Sequence, residues 1–501
     1  MNLDNRRPFA ASKSTSKSTP DRTLKPQYGG VLRIATTYVI SSNMGVPGRQ
    51  NLGALFMDAI TDRFLQVDNI GRMVPHLIES WEFSEDGLQV TLHLRKGIKF
   101  HDGTDFNAEA AKWNLLKARE YKGTLNGIVS IDVINEHTIL VNIKSFDNIF
   151  LSYLAWSSGF VHSPTAYKTY GEEYTMVHPV GTGPFKFVSY KQDVNLVVER
   201  FDGYWQNGKP YLDKMEMIYV EDLPEAINML RKGEVDVVLN INGASAAALK
   251  AEGYTVTERP WTIKELLPDS LNSDSVFADK RVRQALEYAI DRPTIVKSLG
   301  NGYFPLTQLA TKEVYGYNPE IEGRLYNPDK AKQLLTNAGY PGGFKTSIIG
   351  GDSTDLQQVF SAIQSNLADV GIKADIVIAD ATLWKAYKAH KPWHNALIYR
   401  SFAADPTFSA SLIDLHSKKE YGQTSVLRNF DHLIDAVLQA RDRDTMVKAA
   451  QRVVKHIYDE AIAIPILQDS SIVATSNKVH DHGFFGDHIA HWTPWKAWKE
   501  R

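Results

Sequence analysis

The sequence predicts an α/β protein of mixed sheets covered by helices, and three observations predict it. The first is a capped helix leading into a strand. Asp222 is placed as N-cap, Pro224 sits in the first turn, Leu223, Ile227 and Leu230 share one face, Gly233 stops the helix, and a strand over 235–241 follows. The second is recurrence. Asn327 and Pro328 open a helix that ends at Gly339, and Leu356, Phe360, Ile363, Leu367 and Val370 line one helical face before Gly371 and a strand over 374–378. The third is alternation: Leu88, Val90, Leu92 and Leu94 interleave with Gln89, Thr91, His93 and Arg95, the period of a strand buried on one face. Sheets covered by helices bind ligands at the ends of their strands.

In chain order, residues 1–27 are rich in Ser, Thr, Lys and Pro and are expected to be disordered. Asn5-Arg6-Arg7-Pro8-Phe9 is similar to the opening of a twin-arginine export signal, but a polar Ser/Lys/Thr run stands where an apolar segment should follow, so no export signal is evident. Tyr28-Gly29-Gly30 should turn into a strand over 31–35, followed by a polar loop to Asn51 and a helix over 52–60. Trp81 and Phe83 extend the alternation upstream, so 81–94 reads as two strands joined at Glu85-Asp86-Gly87. A turn at Asp102-Gly103 precedes a helix that starts near Asn107, with Ala110, Ala111 and Asn114 on one side. Residues 129–143 read as two strands about Asn135-Glu136, and 150–160 as an apolar aromatic core segment. A strand, loop and helix are expected over 266–291, an apolar strand over 395–402, and a last strand over 461–473.

The 501 residues predict two or three compact units at about 150 residues each. With a formal charge of −2 and scattered Lys and Arg, the basic stripe of a nucleic-acid binder is missing. The lack of cysteine excludes disulfides, thiolate sites and a lipid-modified cysteine anchor. No apolar run approaches the ~18–20 residues of a membrane span. Gly181-Thr182-Gly183 lacks the Lys-Ser/Thr of a phosphate loop, and Pro184 follows. His101-Asp102 reads as a surface hydrogen-bond pair rather than an acid/base couple, and His480, His482, His488 and His491 lack metal-binding spacing. Without Gly-x-Ser-x-Gly or His-Glu-x-x-His, neither an enzyme nor a cofactor is expected.

The order Glu79-Ser80-Trp81-Glu82, Asp86-Gly87, a strand, then Leu94 to Gly103 as LRKGIKFHDG and Ala108-Glu109-Ala110, resembles the extracytoplasmic solute-binding proteins that serve peptide, nickel and opine ABC importers. Gly181 to Phe185 as GTGPF, then Tyr204, Trp205, Gly208, Pro210, Tyr211, Leu212 and Asp213, match a second block of that family, and 279–285 with 289–292 a third. The resemblance implies a two-lobed periplasmic-binding-protein-like fold of type II, with an extra domain and a hinge between lobes. It divides the chain into a first-lobe core of 28–60, 178–265 and 470–501, an extra domain of 61–177, and a second lobe of 266–469. It also implies capture of a small-molecule solute (peptide-like, opine-like, a sugar phosphate or another anionic compound) in a closing cleft, delivery to ABC permease subunits, a periplasmic location and a monomer. A hydrolase or a cytoplasmic ligand sensor on the same fold are the alternatives.

The resemblance further implies where ligand contacts lie. The loop after the first strand faces the ligand in the family, which selects Tyr38, Arg49, Gln50 and Asn51, with helix capping as the other role for the last three. Trp156 lies in a second cleft-facing loop, though an apolar stripe there also reads as core. Asp352 and Ser353 could donate hydrogen bonds into the cleft or cap the next helix. Tyr399, Arg400 and Phe402, with Trp384, offer a stacking face and a clamp for a carboxylate or phosphate. Peptide-binding members carry an acidic residue just before the Asp-Pro step that receives the ligand's amino terminus, and none stands between Arg400 and Asp405, which speaks against a peptide with a free amine and for an anionic or sugar-like ligand. Pairing of Arg400 with Asp405 is the competing reading.

Overall fold

The protein is described from a computed structural model, over residues 24–501 apart from 41, 50–55, 69–70, 122–124, 271, 313, 352–353, 381, 384–393, 404–429 and 485–491. One mixed sheet of 11 strands runs through both lobes. Its order is Lys373–Ile378, Lys345–Gly350, Ala396–Ala403, Thr255–Pro268, Ile464–Thr475, Val237–Val238, Val31–Thr36, Lys214–Tyr219, Asn195–Arg200 and Phe185–Lys191, with Tyr303–Pro305 beside Ile464–Thr475.

The two central strands are the longest and belong to both lobes. Residues 255–259 pair antiparallel with 471–475, while 262–266 pair with 464–469 and 262–268 with 397–403. Register breaks fall between Pro260 and Thr262 and between Lys264 and Glu265. Such bulges bend a strand and increase its twist. The sequence pattern marks only the end of this strand, near 266. Pro260 and the bulges interrupt its alternation, and Glu258, Arg259, Lys264 and Glu265 charge it.

The apolar cores follow the lobes. Leu32, Ile34, Met215, Met217, Val237 and Val473 pack in the first, and Leu266, Phe277, Leu286, Phe360, Leu397 and Ile466 in the second. A separate four-stranded sheet, Ile78–Phe83, Gln89–Leu94, Thr138–Ile143 and Ile128–Asn135, forms the extra domain. Val90, Leu92 and Leu94 are buried there with Ala111, Leu115 and Ala118 of the helix Ala108–Tyr121. Leu88 precedes the strand and is 40 % exposed.

A buried carboxylate joins the extra domain to the first lobe. Asp62, 2 % exposed, accepts hydrogen bonds from Trp205 Nε1 at 3.0 Å, Thr182 Oγ1 at 3.1 Å and Tyr204 OH at 3.2 Å, and lies 2.8 Å from His76 Nε2. The Gly-Thr-Gly and Tyr-Trp blocks therefore converge on one side chain. A Cβ at Gly181 would lie 2.3 Å from Ile60 O, and one at Gly183 2.5 Å from Ile60 C, so this approach requires glycine.

Two histidines close the same junction. His101 Nε2 is 2.9 Å from Gly183 O, and the His162 backbone N donates to Asn114 Oδ1 at 2.8 Å. Burial pushes His101 down to about 4 and His162 down to about 3. Both stay neutral in the fold while the unfolded chain takes up protons below about pH 6.5. The neutral-form stability is thus full above that pH and is lost as pH falls toward 4 and then 3. His162 alone should contribute a slope of about 1.4 kcal/mol per pH unit in that window. Urea unfolding at a series of pH values should show a shallower slope for His162→Gln; an unchanged slope would refute the assignment.

Candidate ligand-binding site

At the crossing, alternate residues of the paired strands present one polar face. Asp469 Oδ1 accepts from the Thr262 backbone N at 3.0 Å and from the Thr262 hydroxyl. Asp469 Oδ2 lies 3.1 Å from Lys264 Nζ, which donates to Ser401 Oγ at 2.8 Å. Two residues further along, Ser471 stands opposite Arg259 in the register, and its hydroxyl donates to Asn240 Oδ1 at 3.2 Å.

The first lobe aims its strand ends at this face. Val31–Thr36 and Val237–Val238 run parallel, and Asn240 follows the second in the left-handed region at φ 56°, which Asn tolerates better than most residues. Its Nδ2 is buried without a hydrogen-bond partner. Tyr38 follows the first strand and is 58 % exposed. Surrounding protein pushes its phenol above the ordinary range, and the negative charge of Asp469 pushes it further. Tyr38 is thus among the groups that feel the charge of the crossing carboxylate.

The other residues expected from sequence are distributed differently. Arg49 Nη1 is 3.1 Å from Glu172 Oε1, and its guanidinium lies 4.4 Å over the Tyr121 ring, so it ties the loop to the extra domain. Trp156 ends the helix Phe150–Ala155 in the extra domain, its backbone N donating to Ser152 O at 3.1 Å. Tyr399 is 3 % exposed in the second-lobe core, edge-on to Phe360 at 5.0 Å. Arg400 alternates to the opposite face and pairs with Glu265, its register partner on the adjacent strand. The pairing with Asp405 falls outside the described residues. Phe402 pairs through its backbone with Ile263. Gln50, Asn51, Asp352, Ser353 and Trp384 lie outside the described residues.

Sequence reading missed Asn240, Arg259, Thr262, Lys264, Asp469 and Ser471. For the five on the two crossing strands the signal is polar alternation on segments more than 200 positions apart, Thr262 and Asp469 being separated by 207, and it becomes legible only with the register. His480 is 2.8 Å from Glu500 and stacks on Trp498 at 4.1 Å. No group of three His, Asp or Glu among the described residues is placed to hold a metal. The face offers hydroxyl, amide, ammonium, carboxylate and guanidinium groups for reversible binding.

Residues 72–422 match the family described as bacterial extracellular solute-binding proteins, family 5 middle. The chain is 31 % identical over 437 residues to the glutathione-binding protein GsiB of Escherichia coli (strain K12), covering 80 % of this chain and 82 % of that relative. The periplasmic binding protein DppA of Helicobacter pylori, solved with the peptide STSA, has a TM-score of 0.78 at 23 % identity and covers 95 % of this chain and 99 % of its own. NikA of Brucella suis, solved with Fe(III)-EDTA, has a TM-score of 0.84 at 20 % identity, covering 94 % and 100 %. The hydrolase and cytoplasmic-sensor alternatives receive no support from these relatives.

Proposed function

The chain belongs to family 5 of the bacterial extracellular solute-binding proteins, the substrate-binding components of ABC importers rather than enzymes, and on that premise we propose that its solute is a small peptide-like acid held at the lobe crossing. The observation that carries this reading is the polar face of the two crossing strands, reached by Tyr38 from the first lobe. Likeness to a glutathione-binding relative supports a peptide-like acid, since glutathione is a tripeptide with two carboxylates. In this reading Tyr38 contacts the solute, Gln50, Asn51, Asp352, Ser353, Trp384 and Phe402 stay candidate contacts whose side chains lie outside the described residues, and Arg49, Trp156, Tyr399 and Arg400 act through the packing given above. In this reading the lobe boundary lies at 265–266 and 469–470, close to the register breaks of the long strand.

Solute-binding proteins of this kind hand small solutes to permease subunits outside the cytoplasm. For this chain the reading adds a periplasmic monomer. Among the described residues no helix is long and apolar enough to cross a membrane. Micromolar capture corresponds to about −8 kcal/mol, within reach of a few charge-assisted hydrogen bonds. Native mass spectrometry of the freshly purified protein should release an acidic peptide-like compound. A neutral sugar or a metal complex as the only copurifying solute would overturn the reading.

A second contact joins the second lobe to the extra domain. Arg441 of the second lobe donates to Glu85 O at 3.0 Å and Asp86 O at 2.9 Å on an extra-domain turn, and its guanidinium lies 4.6 Å over Phe146. Asn148 N donates to Leu438 O at 3.0 Å, and Gln439 Nε2 to Phe146 O at 2.8 Å. Arg441→Ala should widen the envelope seen by solution scattering while changing stability by less than about 1 kcal/mol, as for an exposed side chain. Superimposable scattering curves would remove this contact from control of the lobes.

A further inference from the structure

Folded proteins pair their buried charges, because an ion taken from water without a partner is disfavoured. Arg259 departs from that rule. It is half-buried on the polar face, and among the described residues no carboxylate, hydrogen-bond acceptor or aromatic ring engages its guanidinium. Burial, with no compensating charge, drags its pKa down to about 10. The neighbouring Lys264 is already neutralised by Asp469 at 3.1 Å, so Arg259 leaves the crossing with one surplus positive charge.

A second observation lies beside it. Ser471 stands opposite Arg259 on the next strand and donates to Asn240 Oδ1 at 3.2 Å. That bond turns the other end of the amide, Nδ2, into a buried donor with no acceptor. It is held by a residue in the left-handed region at φ 56°. A buried donor left without an acceptor is rare in native folds, and an acceptor on a bound solute would satisfy it. Arg259, Ser471 and Asn240 thus form a row across three neighbouring chain segments, with surplus charge at one end and a spare N–H donor at the other.

We propose that Arg259 is the anion-recognition residue of the solute site, taking a carboxylate of the solute as its missing charge partner, with Asn240 Nδ2 as second donor. The assignment rests on the reading that solute occupies the crossing. It gives the acid its specificity. A planar guanidinium grips a carboxylate through two parallel hydrogen bonds, and the carboxylate gains most where the cation has already lost its water. An ester or amide at the same position cannot supply the charge. Arg400, the arginine that sequence alone suggested, already has Glu265.

The test compares wild type with Arg259→Met and Arg259→Lys. In ligand-free protein Arg259→Met should raise the thermal midpoint, because it removes a desolvated cation that has no partner; a lowered midpoint would show a structural role and overturn the proposal. Calorimetric titration with glutathione and with its diethyl ester should show wild type favouring the acid by about tenfold to a hundredfold, the range of a charged hydrogen-bond pair. Arg259→Met should bind both compounds equally, and retained preference for the acid overturns the proposal. If wild type binds neither compound, glutathione fails as the solute. The anion assignment is then decided by sodium acetate, which should raise the wild-type midpoint more than that of Arg259→Met at matched ionic strength, and equal shifts overturn it. Arg259→Lys keeps the charge without the fork and should show an intermediate preference for the acid, and Arg259→Gln, which also removes the charge, replaces the methionine variant in every arm should that variant not fold.

Discussion

Asp62→Ala is expected to lower the unfolding free energy by about 3–5 kcal/mol, the range for removing one partner of a buried charged network. The side chain is 2 % exposed and serves Trp205, Tyr204 and Thr182 as hydrogen-bond acceptor, with His76 at 2.8 Å. Each of those groups is left without its partner when the carboxylate is removed, and water cannot reach all of them. Because Tyr204, Trp205 and Thr182 come from the first-lobe segments and Asp62 and His76 from the extra domain, the loss should fall on the junction. Equilibrium denaturation followed by tryptophan fluorescence should show the extra domain loosening before the second lobe unfolds. Asp62→Asn, which keeps an acceptor oxygen, should recover part of the loss. A change below about 1 kcal/mol for the alanine variant would mean that the hub is not what holds the two parts together.

Arg400→Ala is expected to produce a loss of similar size, again about 3–5 kcal/mol, centred on the second lobe. Its side chain is 2 % exposed and that of Glu265 is 0 % exposed. Burial pushes the Glu265 carboxyl up, and the Arg400 charge pulls it back. Without the guanidinium, the carboxylate must take up a proton or remain charged in an apolar setting beside Ile263 and Ile398. Replacing both together, as Glu265→Leu with Arg400→Met, removes the charge problem and should restore most of the stability. Solute affinity measured on folded protein separates structure from recognition. Arg400→Ala should weaken binding only in proportion to unfolded protein, whereas a fully folded variant that has lost affinity would return Arg400 to the solute site. The contrast with Arg259 is physical. Both are arginines on adjacent strands, but only one has a carboxylate opposite it.

Local order was largely legible. The helix Leu223–Lys232 carries its Asp222 cap, with the side chain accepting from Glu225 N, and its Gly233 stop at φ 72°. The helix Pro328–Asn337 opens on Asn327, and the Ile78–Phe83 and Gln89–Leu94 hairpin turns where Glu85-Asp86-Gly87 indicates. These features depend on neighbours a few positions apart, and chain periodicity reports them directly. The family blocks were legible as patterns too, although the reason for them was not: that GTGPF and the Tyr-Trp block meet on Asp62 is a fact of packing across 120 to 143 positions.

What the amino-acid order determined by itself was therefore the α/β class, the capped helices, the family and the exclusion of thiol chemistry. The folded structure alone decided that the long strand Thr255–Pro268 spans both lobes, that Arg400 belongs to Glu265, and that Arg259 stands opposite Ser471 without a countercharge among the described residues. The physical reason is that helix and turn signals are short-range properties of the backbone. Charge pairing and cleft membership instead depend on strand register, which is set by the simultaneous burial of residues from distant parts of the chain.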